Sequence, residues 1–383
     1  MIVPNVVTGF HAACVAFFLA TVATAEGENL LKRAVCGPGI GSCPPGACCS
    51  ASGWCGTTTE YCEGSQCQLE YSDSCDTFFG PSGPSTEKVS RPRVGNVPYG
   101  TIITKCSIPG TMALTFDDGP FVYTNQMLDL LDKLNVKATF FVAGNNRGKG
   151  HIDDPVHGWD AILRRTYRAG HQIASHTWTH RDLNKVNRTI QWSEMIFNEM
   201  AFRNIFGFFP TYMRPPYLEC SADSGCVDVM ATLGYHIVTN NIDTKDYAND
   251  SPELIQNSKS RFDSQVSPRA NDHSYIVLAH DVHFQTVANL TEHMVRVARE
   301  RGYKLVPVGE CLGDPRENWY RTMNEDNAVS SSTKTSMTPS ETKTGTPPRQ
   351  TLTVSPNQRC GGSTGYTCQG SAFGNCCSFY GYW

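Results

Sequence analysis

The chain has 383 residues, which is long enough for one sizeable domain with smaller modules beside it. Its 32 Lys and Arg residues nearly balance its 36 Asp and Glu residues. That balance argues against a protein whose main partner is a nucleic-acid backbone or an anionic membrane surface.

The count of 17 cysteines is high, and their distribution is informative. Cys14 stands alone in an apolar stretch, whereas the other sixteen, an even number, occur mostly in clusters. Even, clustered cysteines indicate disulfide bonds and an oxidising compartment. The sequence therefore predicts a secreted protein that works outside the cell or in the cell wall.

The N-terminus supports secretion. Residues 12–25 form a short apolar run that ends in Ala23-Thr24-Ala25, a small-x-small cleavage pattern. The run is shorter than a membrane-spanning helix needs, so residues 1–25 are predicted to be a signal peptide, with a membrane anchor as the alternative. Residues 26–33 end in Lys32-Arg33 and form a possible propeptide. No later stretch has the length and apolarity of a membrane span, and we expect a monomer without a membrane partner.

Residues 34–76 are predicted to be a small module held together by disulfides. The segment has few aliphatic residues among its Gly, Ser and Pro residues, so it cannot build a hydrophobic core of its own. Residues 77–100, rich in Pro, Ser and Gly, are predicted to be a linker. The eight cysteines of the module are Cys36, Cys43, Cys48, Cys49, Cys55, Cys62, Cys67 and Cys75.

Residues 101–312 alternate strand and helix patterns and form the predicted catalytic domain. Repeated strand-then-helix order favours a parallel sheet covered by helices, in a barrel-like α/β fold. In such folds the residues that follow the strands gather at one face and carry the site. The predicted strands are residues 112–116, 138–142, 171–175, 237–239 and 275–279, and the predicted helices are residues 125–134, 194–202 and 286–301.

Two motifs after the strands suggest a metal site. Asp117 and Asp118 follow the first strand, where an ordinary turn is the alternative interpretation. His176 and His180 are spaced as in one helical turn, which would place both imidazoles on one face. A carboxylate with two imidazoles is a common open zinc set, although an isolated HxxxH is more often incidental.

Three further motifs follow later strands: Arg214-Pro215-Pro216-Tyr217, Asp243-Thr244-Lys245-Asp246-Tyr247 and Leu278-Ala279-His280-Asp281. The adjacent prolines of the first motif would fix the backbone beside a guanidinium and an aromatic ring. Each motif alone also fits a surface ion pair, a turn or a histidine at the edge of the core. Their common position after strands predicts one catalytic site.

With these five motifs in this order, residues 101–312 resemble the polysaccharide deacetylases of carbohydrate esterase family 4. The resemblance implies a distorted (β/α) barrel, a divalent metal (zinc, or alternatively cobalt) and removal of acetyl groups from N-acetylglucosamine polymers or, less often, xylan. One residue departs from the family pattern, since Tyr247 stands where Trp is usual. The implied roles are metal binding by Asp118, His176 and His180, general base for Asp117, general acid for His280, orientation by Arg214 and Asp246, an oxyanion contact from the backbone of Tyr217, and pocket walls from Leu278 and Tyr247.

The module resembles the hevein-like chitin-binding modules of family 18, through the adjacent Cys48-Cys49 pair and the spacing of the other cysteines. The resemblance implies the pairs Cys36–Cys49, Cys43–Cys55, Cys48–Cys62 and Cys67–Cys75. It also implies sugar contacts from Ser50, Trp54 and Tyr61, whose rings would stack on pyranose faces. Ser52 stands where the family often has another aromatic residue, so we expect weak binding. A purely structural disulfide module is the alternative.

The C-terminal part has two predicted segments. Residues 313–357 are rich in Ser, Thr and Pro and form a polar linker with the composition of an O-glycosylated stalk. Residues 358–383 begin the same cysteine pattern again and stop where the next cysteine is due, as in a truncated second module. Cys360–Cys377 is the pair expected there. Whether the natural chain continues or the module is incomplete stays open.

Four cysteines and three sequons remain in the catalytic domain. Cys220–Cys226 would close a short loop beside the motif of Arg214, and Cys106–Cys311 would join the two ends of the domain. Three Asn-x-Ser/Thr sequons are candidates for glycosylation, of which Asn249 is the weakest because a proline follows its serine. The sequons begin at Asn187, Asn249 and Asn289.

These features together predict a secreted hydrolase that deacetylates chitin and chitooligosaccharides, giving chitosan and acetate. The chitin-type module favours an N-acetylglucosamine polymer over the alternatives, which are deacetylation of peptidoglycan or acetylxylan. A non-catalytic protein that shields chitin is a further alternative. Such a protein would be expected to lack a base or a metal ligand, whereas all four residues of the first two motifs are present.

Overall fold

The computed structural model describes residues 35–322, 353–354 and 366–367, and its helices and strands follow the predicted alternation. The strands are β1 (Cys48–Cys49), β2 (Cys55–Gly56), β3 (Ile102–Ile103), β4 (Thr111–Asp117), β5 (Thr139–Val142), β6 (Gln172–Ser175), β7 (Phe208–Pro210), β8 (Tyr212–Met213), β9 (His236–Val238), β10 (Ile242–Asp243), β11 (Tyr275–His280), β12 (Lys304–Leu305), β13 (Tyr320–Thr322), β14 (Thr353–Val354) and β15 (Tyr366–Thr367). The α-helices are α1 (Thr59–Cys62), α2 (Thr124–Lys133), α3 (Trp159–Arg168), α4 (Arg188–Phe206), α5 (Cys226–Leu233), α6 (Ile255–Gln265), α7 (Thr291–Glu300) and α8 (Val308–Cys311).

Residues 35–322 belong to one compact unit, whereas β14 and β15 pair in parallel within a second unit. Several predicted segments lie outside the described residues: the signal peptide (1–25), the propeptide (26–33), most of the polar linker, and all of the second module (358–383) except residues 366–367, including its Cys360–Cys377 pair. The first ten residues of that linker, 313–322, are described, and they belong to the catalytic fold. Trp319 is buried there, and β13 pairs with β7, so the predicted boundary at residue 312 is too early.

A curled parallel sheet forms the centre of the catalytic domain, as the predicted α/β fold requires. Its strands run in the order β10-β11-β4-β5-β6-β8-β9-β3, and β12 pairs with the first residues of β4. Every neighbouring pair is parallel. Within the described residues β10 and β3 do not pair with each other, so the sheet is a half-barrel.

Strand β4 shows why the sequence folds in this way. All seven of its residues are buried, which is typical of a parallel strand covered on both faces. Its alternate side chains Met112, Leu114 and Phe116 pack in the main core cluster, which includes Met127 from α2. Ala113 belongs instead to the cluster on the other face of the sheet. The strand therefore ends at Asp117 with its polar side chain at the rim of a closed core.

Two helices differ from their predicted bounds by more than one residue at an end. Helix α4 begins earlier than predicted because Asn187 Oδ1 caps it by accepting from Ile190 N at 3.0 Å, and it ends at Gly207 with a φ of 79°. The predicted helix over residues 286–301 consists of a π-helical turn, Thr286–Leu290, followed by α7. No helix among the described residues has the length and apolarity needed to cross a membrane.

The cysteine-rich module is held together by its disulfides. A short antiparallel pair, β1 with β2, lies over a small core whose buried members are Cys48, Cys62, Cys67 and Cys75. The cystines therefore replace the aliphatic core that the segment lacks. The bonded pairs in the structure are Cys36–Cys49, Cys43–Cys55, Cys48–Cys62 and Cys67–Cys75 in the module, and Cys106–Cys311 and Cys220–Cys226 in the catalytic domain.

Residues 77–100, predicted to be a linker, pack along the catalytic domain, and we call them the strap. Trp178 Nε1 donates to Phe79 O at 3.1 Å. Arg91 makes a bidentate pair with Glu199 of α4, with both N–O distances at 2.7 Å, and Thr86 Oγ1 donates to the same carboxylate at 2.6 Å. Because Glu199 is fully buried, this pairing ties the strap to the core. The strap is therefore not a free spacer between the module and the catalytic domain.

Candidate active site

The predicted site residues meet at the carboxyl edge of the sheet. Asp117 ends β4 and lies opposite His280, which ends β11, in the parallel register. His176 follows β6, and Arg214 follows β8. Because these strands are neighbours or near neighbours in the sheet, their ends bring the side chains into one cleft.

The donor atoms of Asp118, His176 and His180 form a compact cluster in which all three lie within 4.8 Å of one another. Asp118 Oδ1 is 3.1 Å from His180 Nε2 and 3.5 Å from His176 Nε2. His176 Nδ1 lies 2.8 Å from Arg214 O, so that nitrogen carries the proton and Nε2 presents its lone pair to the cluster. Asp118 Oδ1 is buried without a hydrogen-bond donor among the described residues. One carboxylate and two imidazoles arranged in this way fit a divalent metal.

The backbone between the two histidines is a loop and not the helical turn that the spacing predicted. Thr177 and His180 have φ values of 67° and 57°, and Asp118 has a φ of 76°. Such left-handed conformations are uncommon for residues other than glycine and are typical of functional sites. Buried contacts hold the loop, including the bond from Thr179 N to Glu194 Oε2 at 2.7 Å. The imidazoles therefore converge because of loop geometry, not helical periodicity.

Asp117 is oriented by a buried guanidinium. Arg214 Nη1 donates to Asp117 Oδ1 and to Thr115 Oγ1, each at 2.7 Å, and Arg214 Nη2 donates to Thr239 O at 2.7 Å. The same guanidinium lies 4.1 Å from the centroid of the Phe141 ring. The second oxygen of Asp117 is 3.7 Å from His176 Nε2 and so lies beside the cluster of Asp118, His176 and His180. This carboxylate is therefore fixed next to the cluster without being one of its three predicted ligands.

His280 is paired with a second carboxylate. Its Nδ1 lies 2.8 Å from Asp246 Oδ1, and its backbone N–H donates to Asp246 Oδ2 at 2.7 Å. Thr286 Oγ1 and the backbone N–H of Tyr247 donate to the same carboxylate, at 2.7 Å and 3.0 Å. Burial alone would lower the pKa of His280, but the charge and hydrogen bond of Asp246 outweigh burial and raise that pKa to about 10. The imidazole is thus held in its protonated form, as a proton donor requires.

These groups line a cleft of about 870 Å³. Tyr217 and Tyr247 stand at its rim and are 57% and 47% exposed, whereas Leu278 is buried in its wall. The rings of Tyr217 and His180 form a T-shaped pair, with their centroids 4.8 Å apart. Residues 59, 60 and 63–66 of the cysteine-rich module also line this cleft, which the sequence did not predict.

Three supporting residues were missed by sequence reasoning. Lys149 is buried and its Nζ donates to the carbonyl oxygens of Asp118 and Gly119, at 3.0 Å and 3.2 Å, while burial lowers its pKa to about 7. Asp281, noted only as part of a motif, accepts from Thr124 Oγ1 behind the same turn. Arg181 donates to the cysteine-rich module. Arg181 and Asp281 had a sequence signal, because each directly follows a histidine of a named motif, whereas Lys149 had none.

The predicted sugar contacts of the module do not line the cleft. Trp54 is 38% exposed, and its backbone N–H donates to Ser50 Oγ at 3.3 Å. The ring of Tyr61 lies against Gly56, where an added Cβ would fall 2.4 Å from the ring. Of the sequon residues, Asn187 and Asn289 are exposed and Asn249 is partly buried. Asn249 donates to Lys245 O, and Asn289 donates to Gln285 Oε1. The structure does not test sugar binding or glycosylation at these positions.

Comparison with known proteins identifies two families and several relatives. Residues 104–238 match the family described as polysaccharide deacetylase, and residues 35–75 match chitin recognition protein. The chain is 47% identical over 228 residues to a chitin deacetylase of Colletotrichum lindemuthianum, an alignment that covers 59% of this chain and 88% of the relative. It is 39% identical over 301 residues to a chitin deacetylase of a Pestalotiopsis species, covering 79% and 90%. The solved structure of the Colletotrichum lindemuthianum chitin deacetylase superposes with a TM-score of 0.56, covering 59% of this chain and 97% of that one.

Proposed function

Because this chain belongs to the polysaccharide deacetylase family, we propose that it hydrolyses the N-acetyl groups of chitin, releasing acetate and leaving glucosamine units. One observation carries the proposal. The Asp117–Arg214 pair and the His280–Asp246 pair stand in the same cleft as the cluster of Asp118, His176 and His180. Amide hydrolysis needs a base and an acid next to a metal site. Because each of the two groups has its own charged partner, one can stay ionised while the other stays protonated.

The metal would be held by Asp118, His176 and His180, a donor set that suits zinc and for which cobalt is the alternative. When bound there, a divalent metal polarises the acetyl carbonyl and lowers the pKa of a coordinated water. Arg214 O fixes the tautomer of His176 for this role. Burial lowers the pKa of His176 to about 4, so its imidazole is neutral and able to coordinate.

The protein groups then divide the proton transfers. Asp117 accepts a proton from the water that adds to the acetyl carbon, and Arg214 holds that carboxylate in place. The oxyanion is stabilised by the backbone N–H of Tyr217. His280 gives its proton to the amide nitrogen as the C–N bond breaks, so the sugar leaves as an amine, and the acetyl group leaves as acetate. Leu278 and Tyr247 line the acetyl and sugar pocket.

Chitin is favoured as the polymer by two facts that do not depend on the catalytic residues. A chitin recognition module lies in the same compact unit as the cleft, and the two relatives named above are chitin deacetylases. The six disulfides among residues 35–322 suit a secreted protein, which would meet chitin outside the cell or in the cell wall.

Acetate release from N-acetylglucosamine oligomers tests this function. We expect release by the purified protein, loss of release after chelation, and recovery on adding zinc or cobalt. Release from acetylxylan but not from the oligomers would contradict the substrate. No release from either polymer with metal supplied would favour a chitin-binding protein without catalysis.

A further inference from the structure

The cysteine-rich module reaches into the deacetylase cleft. Residues 59, 60 and 63–66 of the module line the cleft together with Asp118, His180 and Tyr217 of the catalytic domain. We call residues 59–66 the module wall. Ser65 Oγ of the wall lies 3.1 Å from the hydroxyl of Tyr217, whose ring lies edge-on to the ring of His180. Through Tyr217, the wall therefore comes close to His180, one of the three predicted metal ligands.

One end of the module wall is anchored by Arg181. Its Nη1 donates to Ser65 O at 3.0 Å and to Cys67 O at 2.7 Å, and its Nε donates to Thr77 Oγ1 at 2.9 Å. The Arg181 side chain is buried, so water does not weaken these charge-assisted bonds. Because Arg181 directly follows His180, the wall is fixed to the loop that carries two of the predicted metal ligands.

The middle of the module wall is anchored to the loop after β5. Glu63 Oε1 accepts from Gly150 N at 2.7 Å. Gly64 lies so close to this loop that an added Cβ would be 3.7 Å from the Cα of Asn146. Residues 63–65 of the wall therefore lie between the loop at residues 146–150 and Tyr217, and they are held on both sides. A segment fixed at two points can present its side chains in a constant geometry.

The side chains that the wall presents to the cleft are polar. Glu60 and Gln66 are exposed and Ser65 is half-buried, which gives a carboxylate, an amide and a hydroxyl on one side of the cleft. Groups of these types bind sugar hydroxyls and acetamide groups by hydrogen bonds. The exposed ring of Tyr217 beside them offers an apolar face for a pyranose ring.

We propose that Glu60, Ser65 and Gln66 form a sugar-binding subsite of the deacetylase cleft. This inference rests on the proposed function, because its ligand is the N-acetylglucosamine chain that the cleft deacetylates. The subsite is separate from the predicted sugar face of the module at Ser50, Trp54 and Tyr61, which does not line the cleft. The module thus acts in positioning the chain at the site of reaction as well as in binding chitin.

The double variant Glu60→Ala, Gln66→Ala tests the subsite with chitotetraose as substrate. Losing two hydrogen bonds to sugar should raise KM about 5- to 30-fold, whereas kcat stays within about 2-fold because the base, acid and metal ligands are unchanged. Glu87→Ala, which removes an exposed glutamate of the strap outside the cleft, is the matched control and should leave both constants unchanged.

An unchanged KM in the double variant, or a fall in kcat alone, would overturn the subsite. A parent protein that releases no acetate would contradict the proposed function instead. Titration calorimetry with chitotetraose then still decides the subsite. We expect the double variant to bind about 5- to 30-fold more weakly than the parent, and equal affinities would overturn the inference.

Discussion

Asp117 and Asp118 are consecutive carboxylates whose neighbours differ. Asp117 faces the buried guanidinium of Arg214 at 2.7 Å, whereas Asp118 faces the imidazoles of His180 and His176. Burial raises the pKa of Asp118, but the charge of the nearby His180 outweighs burial and holds that pKa well below its ordinary value. Each carboxylate therefore has its own partner, which allows one to bind a metal and the other to accept a proton.

The substitution Asp117→Asn tests this division. The amide keeps the shape of the side chain but cannot accept the proton of the attacking water, so we expect kcat to fall about 10²- to 10⁴-fold. Zinc content, measured by atomic absorption, should stay equal to that of the parent because the three ligands remain. Asp228→Asn, at an exposed position with an ion pair at 3.7 Å, should retain full activity. Substantial activity of the Asp117 variant with its metal bound would show that Asp117 is not the base.

At the scale of elements, the apolar patterns were sufficient to predict the central strands. Residues 112–116 were predicted as a strand and form most of β4, because a fully buried parallel strand has an apolar sequence. The loop from His176 to Arg181 was not predictable in the same way. Its conformation depends on Glu194 of α4 and Thr77 of the strap, which are distant in sequence. The spacing of its histidines could suggest a metal pair but not the backbone that brings them together.

This loop should depend on Arg181. In Arg181→Ala, two carbonyl oxygens and Thr77 lose a buried charged donor, so we expect unfolding to become easier by about 2–4 kcal/mol. We also expect weaker zinc binding, because His180 is the preceding residue and loses the support of the module. Differential scanning calorimetry of the metal-free protein and a zinc titration measure the two effects.

Arg188→Ala is the matched control for that experiment. Arg188 makes an ion pair with Asp228 at 3.7 Å in which both side chains are largely exposed, and such pairs contribute less than about 1 kcal/mol. Its melting temperature and zinc affinity should equal those of the parent. If Arg181→Ala had the same melting temperature and zinc affinity as this control, the anchoring of the module wall would have no influence on the loop from His176 to Arg181.

At the scale of the whole molecule, the sequence predicts the module and the catalytic domain but not the contacts between them. Cysteine spacing predicts a module at residues 34–76, and residues 35–75 match the chitin recognition family. The contacts that join the module to the catalytic domain come from single polar residues such as Arg181, Glu63 and Asn145, which follow no pattern. For the same reason the strap was predicted to be a linker. Composition indicates where a chain lacks a core of its own, but not which surface will bury it.

Docking of the module should depend on pH through Glu63. Burial, with a smaller effect of the Asp76 charge, raises the pKa of Glu63 to about 7, and the Gly150 and Gly148 N–H groups and Lys149 limit that rise. Its Oε2 is buried without a partner among the described residues, so the docked form favours the protonated acid. Since the pKa in the folded protein lies above the ordinary value of 4.5, this contribution to stability is complete below about pH 4.5 and is lost as the pH rises through about 7.

Glu63→Gln should remove that dependence, because its amide oxygen can still accept from Gly150 N and does not ionise. The melting temperature of the variant minus that of the parent should therefore be larger at pH 8 than at pH 5 when both proteins are measured by scanning calorimetry. Glu70→Gln, at an exposed glutamate of the same module, should give a difference that does not change between the two pH values. A constant difference for Glu63→Gln as well would mean that Glu63 titrates in the docked module as it does in the unfolded chain, and that this carboxyl does not make docking sensitive to pH.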